Sequence, residues 1–345
     1  MTATEAGERR VAVLLNRNAR GVTDSLIATV ESLGAAEDIF VTSSVADARS
    51  ALERVVEGRH DVLIVGGGDG TFVHVLQALA SLRPTPKPIL FALRLGSGNA
   101  IADVCGASRT TRRGLAADLA RARSREAPVR LRLLCADERP SYSLGIGIDA
   151  RFSADLDAFL KPFLGRGRLA TWLRGFPGMV ATGLLHTLPE LFRRPPFRLR
   201  IINLGASAAR LGRDGRPTSR SMCPGDILFD GEATIAAAST VETYGRGLHF
   251  FPYTTQHPGY FQLRVARVRS LATLAHFPSI FAGTWHDDRH LWDWRVTAVR
   301  LEIDPAEPVH VGGELLGARS TIEVSLSPQS FPILGAPPVA GRTLY

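Results

Sequence analysis

Asp69 lies within a glycine turn, Gly66-Gly67-Gly68-Asp69-Gly70-Thr71, that directly follows the apolar run Val62-Leu63-Ile64-Val65. Glycines permit positive φ and close backbone approach, so successive N–H groups can converge on phosphate oxygens. Residues Phe72 to Leu79 read as a helix, whose N-terminal dipole favours negative charge at the same place. A carboxylate beside bound phosphate is unfavourable unless it takes a proton from an attacking hydroxyl or helps hold a cation that neutralises both. The chemistry implied is phosphoryl transfer. The alternative is a glycine-rich strand-to-helix turn in which Asp69 only caps the helix. No Lys-Ser or Lys-Thr pair follows, so this is not a Walker A loop, and the spacing is not that of the dinucleotide fingerprint.

The pattern recurs. Ile89-Leu90-Phe91-Ala92-Leu93 reads as another strand and runs into Arg94-Leu95-Gly96-Ser97-Gly98-Asn99-Ala100, a Gly-x-Gly turn opening a helix. A third strand, Val11–Leu15, ends at Asn16. In open α/β sheets ligands bind beyond the carboxyl ends of the strands, so turns from neighbouring strands would form the lips of one nucleotide cleft.

The elements that must position these turns alternate through the first third of the chain. Strands are expected at Val11–Leu15, Ile39–Thr42, Val62–Val65 and Ile89–Ala92, and helices at Asp24–Leu33, Ala46–Val56, Thr71–Leu82 and Leu115–Ala122. That order predicts a doubly wound, mostly parallel α/β nucleotide-binding domain over residues 1–128. From Val129 short alternating runs dominate: Arg130–Cys135, Tyr142–Gly147, Phe197–Ile202, Ala233–Ala238, Tyr260–Val265, Val296–Ile303, Val309–Val311 and Thr321–Leu326. They predict an antiparallel β-sandwich over residues 129–345, with a helical insertion at 155–195 and a mobile Gly/Arg/Ser/Pro loop at Arg210–Pro224. The cleft is expected between the two domains.

Gly67-Gly68-Asp69-Gly70-Thr71 together with Leu95-Gly96-Ser97-Gly98-Asn99-Ala100 resembles the diacylglycerol kinase catalytic-domain superfamily, which includes bacterial lipid kinases and sphingosine kinases. The resemblance continues through Gly147-Ile148-Asp149-Ala150, Tyr244-Gly245-Arg246-Gly247, Phe251-Pro252 and Gly312-Gly313-Glu314, and so covers almost the whole chain. It implies an ATP-dependent lipid kinase using Mg²⁺. Gly67, Gly68, Gly70 and Thr71 would cradle the ATP phosphates, with Gly96, Ser97, Gly98, Asn99 and the strand-end Asn16 completing the nucleotide site. Asp69 would orient or deprotonate the lipid hydroxyl, or engage Mg²⁺ through water. Asp149 would face the acceptor head group, and Glu314 would support the metal or act as base. Ser97 and Ala100 resemble the sphingosine-kinase version of the second motif.

Some positions depart from that pattern. His74 stands where the family usually has Glu, Arg17 and Arg94 replace prolines, Gly312 replaces the Asp before Gly-Glu, and Pro258 falls where an Asp-Gly pair is usual. An accessory metal site resting on those acids is expected to be absent or altered. Two other readings stay open: a kinase of a soluble acceptor, since NAD kinases and phosphofructokinases share the Gly-Gly-Asp-Gly turn, and a lipid-binding member that has lost its chemistry.

At 345 residues, with 45% hydrophobic and 21% charged residues, the chain reads as globular and suggests two domains. No apolar stretch reaches the length of a bilayer span and the N-terminus lacks the shape of a signal peptide, so a cytoplasmic protein is expected. Three scattered cysteines, Cys105, Cys135 and Cys223, argue against a disulfide framework or zinc cage. The net charge is +8, almost wholly from Arg, with Lys87 and Lys161 the only lysines. Basic and aromatic residues mix between Asp157 and Pro196, which suits transient contact with an anionic membrane surface and a lipid substrate. No known nucleic-acid module is present. A homodimer is left open. His286 and His290 have helical i,i+4 spacing but lack the Glu of a zinc peptidase, so they read as a surface loop, and Asp230-Gly231-Glu232 reads as a turn.

Overall fold

The computed structural model describes residues 8–34, 36–152, 155, 189, 195–218, 220–244, 248–268 and 276–336. Contacts divide them into two units: the chain up to Arg132 joined by the strand end from Gln329, and the chain from Leu133 to Pro328.

The first unit is built on four parallel strands, β1 (Val11–Asn16), β2 (Asp38–Thr42), β3 (Val62–Gly67) and β4 (Ile89–Arg94), in the order β2-β1-β3-β4. Val13 sits opposite Ile39 on one side and Ile64 on the other, and Ile64 opposite Phe91. β1 and β3 are apolar on both faces because helices cover both, and Val11–Leu15 and Val62–Leu63 are fully buried. Each such side chain contributes about 1.5–3 kcal/mol of burial.

The connecting helices have well-defined ends. α1 (Asp24–Leu33) starts where Thr23 Oγ1 accepts from Leu26 N at 3.2 Å and stops at Gly34, whose φ of 58° only a glycine adopts readily. α2 (Val45–Glu57) opens with a full capping box between Ser44 and Asp47, and hydrogen bonds from the Ser43 backbone and hydroxyl, joined by Ser44, hold the Asp47 carboxyl down at about 2. α3 (Asp69–Leu82), α4 (Ala100–Val104) and α5 (Arg112–Arg123) complete the unit. The last strand of the chain returns here: Ile333 pairs in parallel with Leu90, and Lys87 Nζ donates to Ser330 O at 3.1 Å.

The second unit is antiparallel and strand-rich. β5 (Val129–Ala136) turns into β6 (Arg139–Ser141), and β7 (Ser143–Gly147), β8 (Phe197–Asn203), β9 (Ala209–Leu211), β10 (Ile227–Ala233), β11 (Ile235–Ser239), β12 (Phe261–Ala266), β13 (Leu291–Val296), β14 (Ala298–Val311) and β15 (Glu314–Ile333) follow. β7 lies between β14 and β11, and β12 and β13 continue from β11. β8 alternates buried and outward residues, as a strand with one wet face should. Leu144, Ile146, Leu199, Ile201, Leu263, Val265, Val296 and Leu301 lie in its core. On the opposite face of β12 and β13, where Arg264 lies over the Phe250 ring, the buried Arg264 and Asp293, 1% and 4% exposed, form a two-pronged ion pair at 2.8 and 2.9 Å, and Gln262 Nε2 donates to the same carboxylate at 2.7 Å.

Two expectations change. Asp230-Gly231-Glu232 is not a turn but the middle of β10, opposite Arg200, Leu199 and Arg198, because edge pairing to β8 and an Arg198–Asp230 ion pair at 3.0 Å accommodate acids on an outward face. The segment Arg210–Pro224 is held by paired backbone bonds between Ala208 and Met222 and by Thr218 N donating to Arg210 O at 2.9 Å, so composition overstated its freedom. The expected insertion at 155–195, with its basic and aromatic residues, lies almost wholly outside the described residues.

Candidate functional site

The glycine turn closes β3 and opens α3, with Gly68 as N-cap and no side chain capping the helix. The first amides of a helix have no intrahelical partner, so this end concentrates unpaired N–H groups and the positive pole of the dipole. The glycines serve close approach rather than unusual dihedrals: none of Gly66, Gly67, Gly68, Gly70, Gly96 or Gly98 has positive φ. A Cβ on Gly67 would meet the Thr71 side chain at 2.6 Å. A Cβ on Gly96 would stand 2.4 Å from the Gly68 Cα, so the two turns touch backbone to backbone. Gly70 has nothing within 4 Å of a Cβ position.

The second turn is shaped by Asn99, which takes the left-handed conformation at φ 60°. Its Oδ1 accepts from Gly96 N at 2.9 Å and its Nδ2 donates to Gly96 O at 3.0 Å, closing a ring over Ser97 and Gly98. Ser97 is exposed at the tip. Asn16 joins the group from β1, donating from Nδ2 to Thr71 Oγ1 at 2.9 Å.

Asp69 stands at the junction. It is the first residue of α3, yet its Oδ1 accepts from Ile101 N at 3.0 Å, in the first turn of α4. The carboxylate therefore caps the helix of the second motif, 32 positions away, and not its own. Burial pushes its pKa up, while the amides of Ile101, Ala100 and Asn99 pull the other way. A cavity of about 10 Å³ beside it is lined by Gly67, Gly68, Asn99 and Ile101, at the lower limit for one water molecule. Arg94 fixes the same region, with Nη1 2.5 Å from Asp103 Oδ1 and Nε donating to Ala107 O at 2.6 Å. His74 is exposed on α3. Arg17 pairs at the surface with Asp24.

In the second unit, Asp149 follows the end of β7. Tyr244 Oη and His310 Nε2 both donate to its Oδ2, the latter at 2.8 Å, and Tyr244 Oη lies 2.8 Å from His310 Nε2. A Cβ on Gly145 would stand 1.7 Å from the Asp149 Oδ2, so this cluster exists because residue 145 has no side chain. Glu314 opens β15 opposite Val311 and is exposed. The hairpin between them is Gly312-Gly313, at φ 60° and 89°. A Cβ on Gly312 would meet the buried Ser141 Oγ at 2.5 Å, so a side chain here requires Ser141 to shift. Tyr244 and His310 carry no motif signal pairing them with Asp149; they lie 95 and 161 positions from it. Among the described residues no group of three or more His, Cys, Asp or Glu could hold a metal ion. His286 and His290 instead pair with the neighbouring Asp288 and Asp287.

A glycine-rich turn thus closes a strand of the parallel sheet and opens a helix, and an antiparallel unit follows in the chain. Residues 10–130 match the model of the diacylglycerol kinase catalytic domain. Three solved structures from Bacillus anthracis str. Sterne, described as a diacylglycerol kinase or a candidate for one, are similar over 97% of this chain and 99% of their own. Their TM-scores are 0.66, 0.62 and 0.61 at 19%, 16% and 18% identity, a likeness of fold. No curated protein matches the chain.

Proposed function

We propose that the protein is an ATP-dependent lipid kinase that transfers the γ-phosphoryl group to a lipid hydroxyl of the diacylglycerol or sphingoid type. The observation that carries the reading is the uncapped N-terminus of α3 beneath two touching glycine turns, a concentration of amides suited to phosphate. Gly67, Gly68, Gly70 and Thr71 hold the phosphates from one side. Gly96, Ser97, Gly98 and Asn99 hold the nucleotide from the other, and Asn16 fixes Thr71. Mg²⁺ arriving with ATP would supply charge neutralisation; such ions take one or two carboxylates plus substrate phosphates and keep several waters, so Asp69 would engage it through water.

Asp69 accepts the proton of the acceptor hydroxyl as the new oxygen–phosphorus bond forms and the bond to the β-phosphate oxygen breaks, releasing ADP. A carboxyl raised by burial is a stronger base than an exposed one. Glu314 is a second acid for this step, and Asp149 contacts the acceptor head group. The +8 net charge supports transient contact with an anionic membrane surface. Among the described residues no helix is long and apolar enough to cross a bilayer.

The packing of Gly312 on Ser141 favours a second reading, a member that binds ATP without turning over. Labelled ATP with Mg²⁺ and an extracted lipid mixture separates the two. A labelled lipid made by the wild type and absent with Asp69→Asn is expected. Nucleotide binding without any labelled lipid would leave a soluble acceptor or the inactive reading.

A further inference from the structure

We propose that His310 and Tyr244 are positioning residues of the acceptor site, fixing Asp149 as a single-rotamer carboxylate whose Oδ2 is held by two donors. This rests on the lipid-kinase reading given above. The argument begins with the hairpin. Gly313 N donates to His310 Nδ1 at 3.2 Å, so Nδ1 must be bare and the imidazole proton must sit on Nε2. Nε2–H then points at Asp149 Oδ2, 2.8 Å away. Tyr244 Oη–H, with only one proton to give, donates to the same oxygen. These three bonds thus share one assignment, with Nδ1 and Oδ2 accepting and Nε2 and Oη donating.

The surroundings fix this arrangement. His310 is 3% exposed, and its neighbour in the β7–β14 register is Gly145, whose missing side chain makes the space for both the imidazole and the carboxylate. Tyr244 packs against Phe250 and Phe251, with ring centroids 5.8 and 5.4 Å away. Burial, and then the Asp149 charge, push the Tyr244 phenol well above its ordinary value, so it remains a donor. The group therefore presents the Asp149 carboxylate beside an aromatic cluster, which suits an acceptor whose head group donates hydrogen bonds, such as a hydroxyl or an ammonium. The hairpin that lacks the usual acid at 312 serves this end through the backbone of Gly313.

The test uses the full chain with ¹⁵N-labelled histidine. His310 is expected to show a protonated Nε2 and a bare Nδ1 at neutral pH, and Tyr244→Phe, which keeps the ring, to move the Nε2 signal. In the labelled-phosphate assay Tyr244→Phe and His310→Gln are expected to lower kcat tenfold or more while KM for ATP stays within twofold. A proton on Nδ1, or variants that label lipid at the wild-type rate, would overturn the proposal. If the wild type itself labels no lipid, the kinase reading fails separately, and mixed micelles of dioleoylglycerol or sphingosine decide the point. A shift of the His310 Nε2 signal on adding them supports an acceptor site, and no shift overturns it.

Discussion

Gly96→Ala probes the contact between the two phosphate turns. The added Cβ would stand 2.4 Å from Gly68 Cα and 3.4 Å from both Gly67 O and Asn99 Oδ1. Carbons rest at about 3.5–4.0 Å, so the turns must part by roughly 1 Å or more. The bonds that define the site are short: 2.9 and 3.0 Å within the Gly96–Asn99 ring and 3.0 Å from Ile101 to Asp69. Lengthened by that amount they leave hydrogen-bonding range. Overpacking of this kind costs about 1–3 kcal/mol, and a comparable loss in binding energy lowers nucleotide affinity about tenfold or more. Urea denaturation and titration with a fluorescent ATP analogue measure both. Gly70→Ala is the control for the stability measurement alone, since it adds a methyl with no neighbour inside 4 Å in a helix that gains up to about 1 kcal/mol from losing a glycine. If Gly96→Ala matched the wild type within about 0.5 kcal/mol, the ordinary range of neutral surface substitutions, and bound the analogue equally well, the turns would not touch and the shared site would be refuted.

The Asp69 carboxyl has a folded pKa above its ordinary 3.8, so the folded state holds its proton more tightly than the unfolded chain does. The stability this contributes is full below 3.8 and is lost as pH rises through the raised value. Wild type minus Asp69→Asn stability, from denaturation at several pH values, is therefore expected to fall as pH rises above the ordinary 3.8; a flat or rising difference would contradict the burial argument. Arg264→Met strands Asp293 in the core and should cost about 3–5 kcal/mol, most of it recovered by the double variant with Asp293→Leu. A single variant as stable as wild type in urea would show the pair to be dispensable.

The first unit was readable because its signals are local. α1 runs from Asp24 to Leu33 as expected, since Thr23 and Gly34 mark both ends within the sequence. β1, β3 and β4 are continuous apolar runs that end in glycine or a polar residue. The later strands were broken too early. Val296–Ile303 and Val309–Val311 read as separate runs in the sequence, but β14 spans most of both, carrying Pro305 and Pro308 through a register shift between Glu302 and Glu307, and β15 runs on past Pro328. The glycine turns declared themselves, whereas the bracing role of Asp69 did not: its partner Ile101 is reached only when two loops fold together. His310 looked like one more alternating strand residue, and only the β7–β14 register sets it over Gly145 and beside Asp149.

The parallel sheet of the first unit takes its outermost pairing from near the far end of the chain, where Ile333 lies beside Leu90, Leu334 N donates to Leu90 O at 2.9 Å, and Arg121 reaches the Gly335 carbonyl. This makes the order of synthesis matter. Some 200 residues separate Arg132 from Ile333, so at 5–20 residues per second the ribosome takes roughly 10–40 s to supply the piece that covers β4. Throughout that interval the nascent first unit carries an open strand edge of the kind that invites pairing with another chain. The phosphate turns at the tips of β3 and β4 thus rest on a sheet that is completed only once Ile333 has been made.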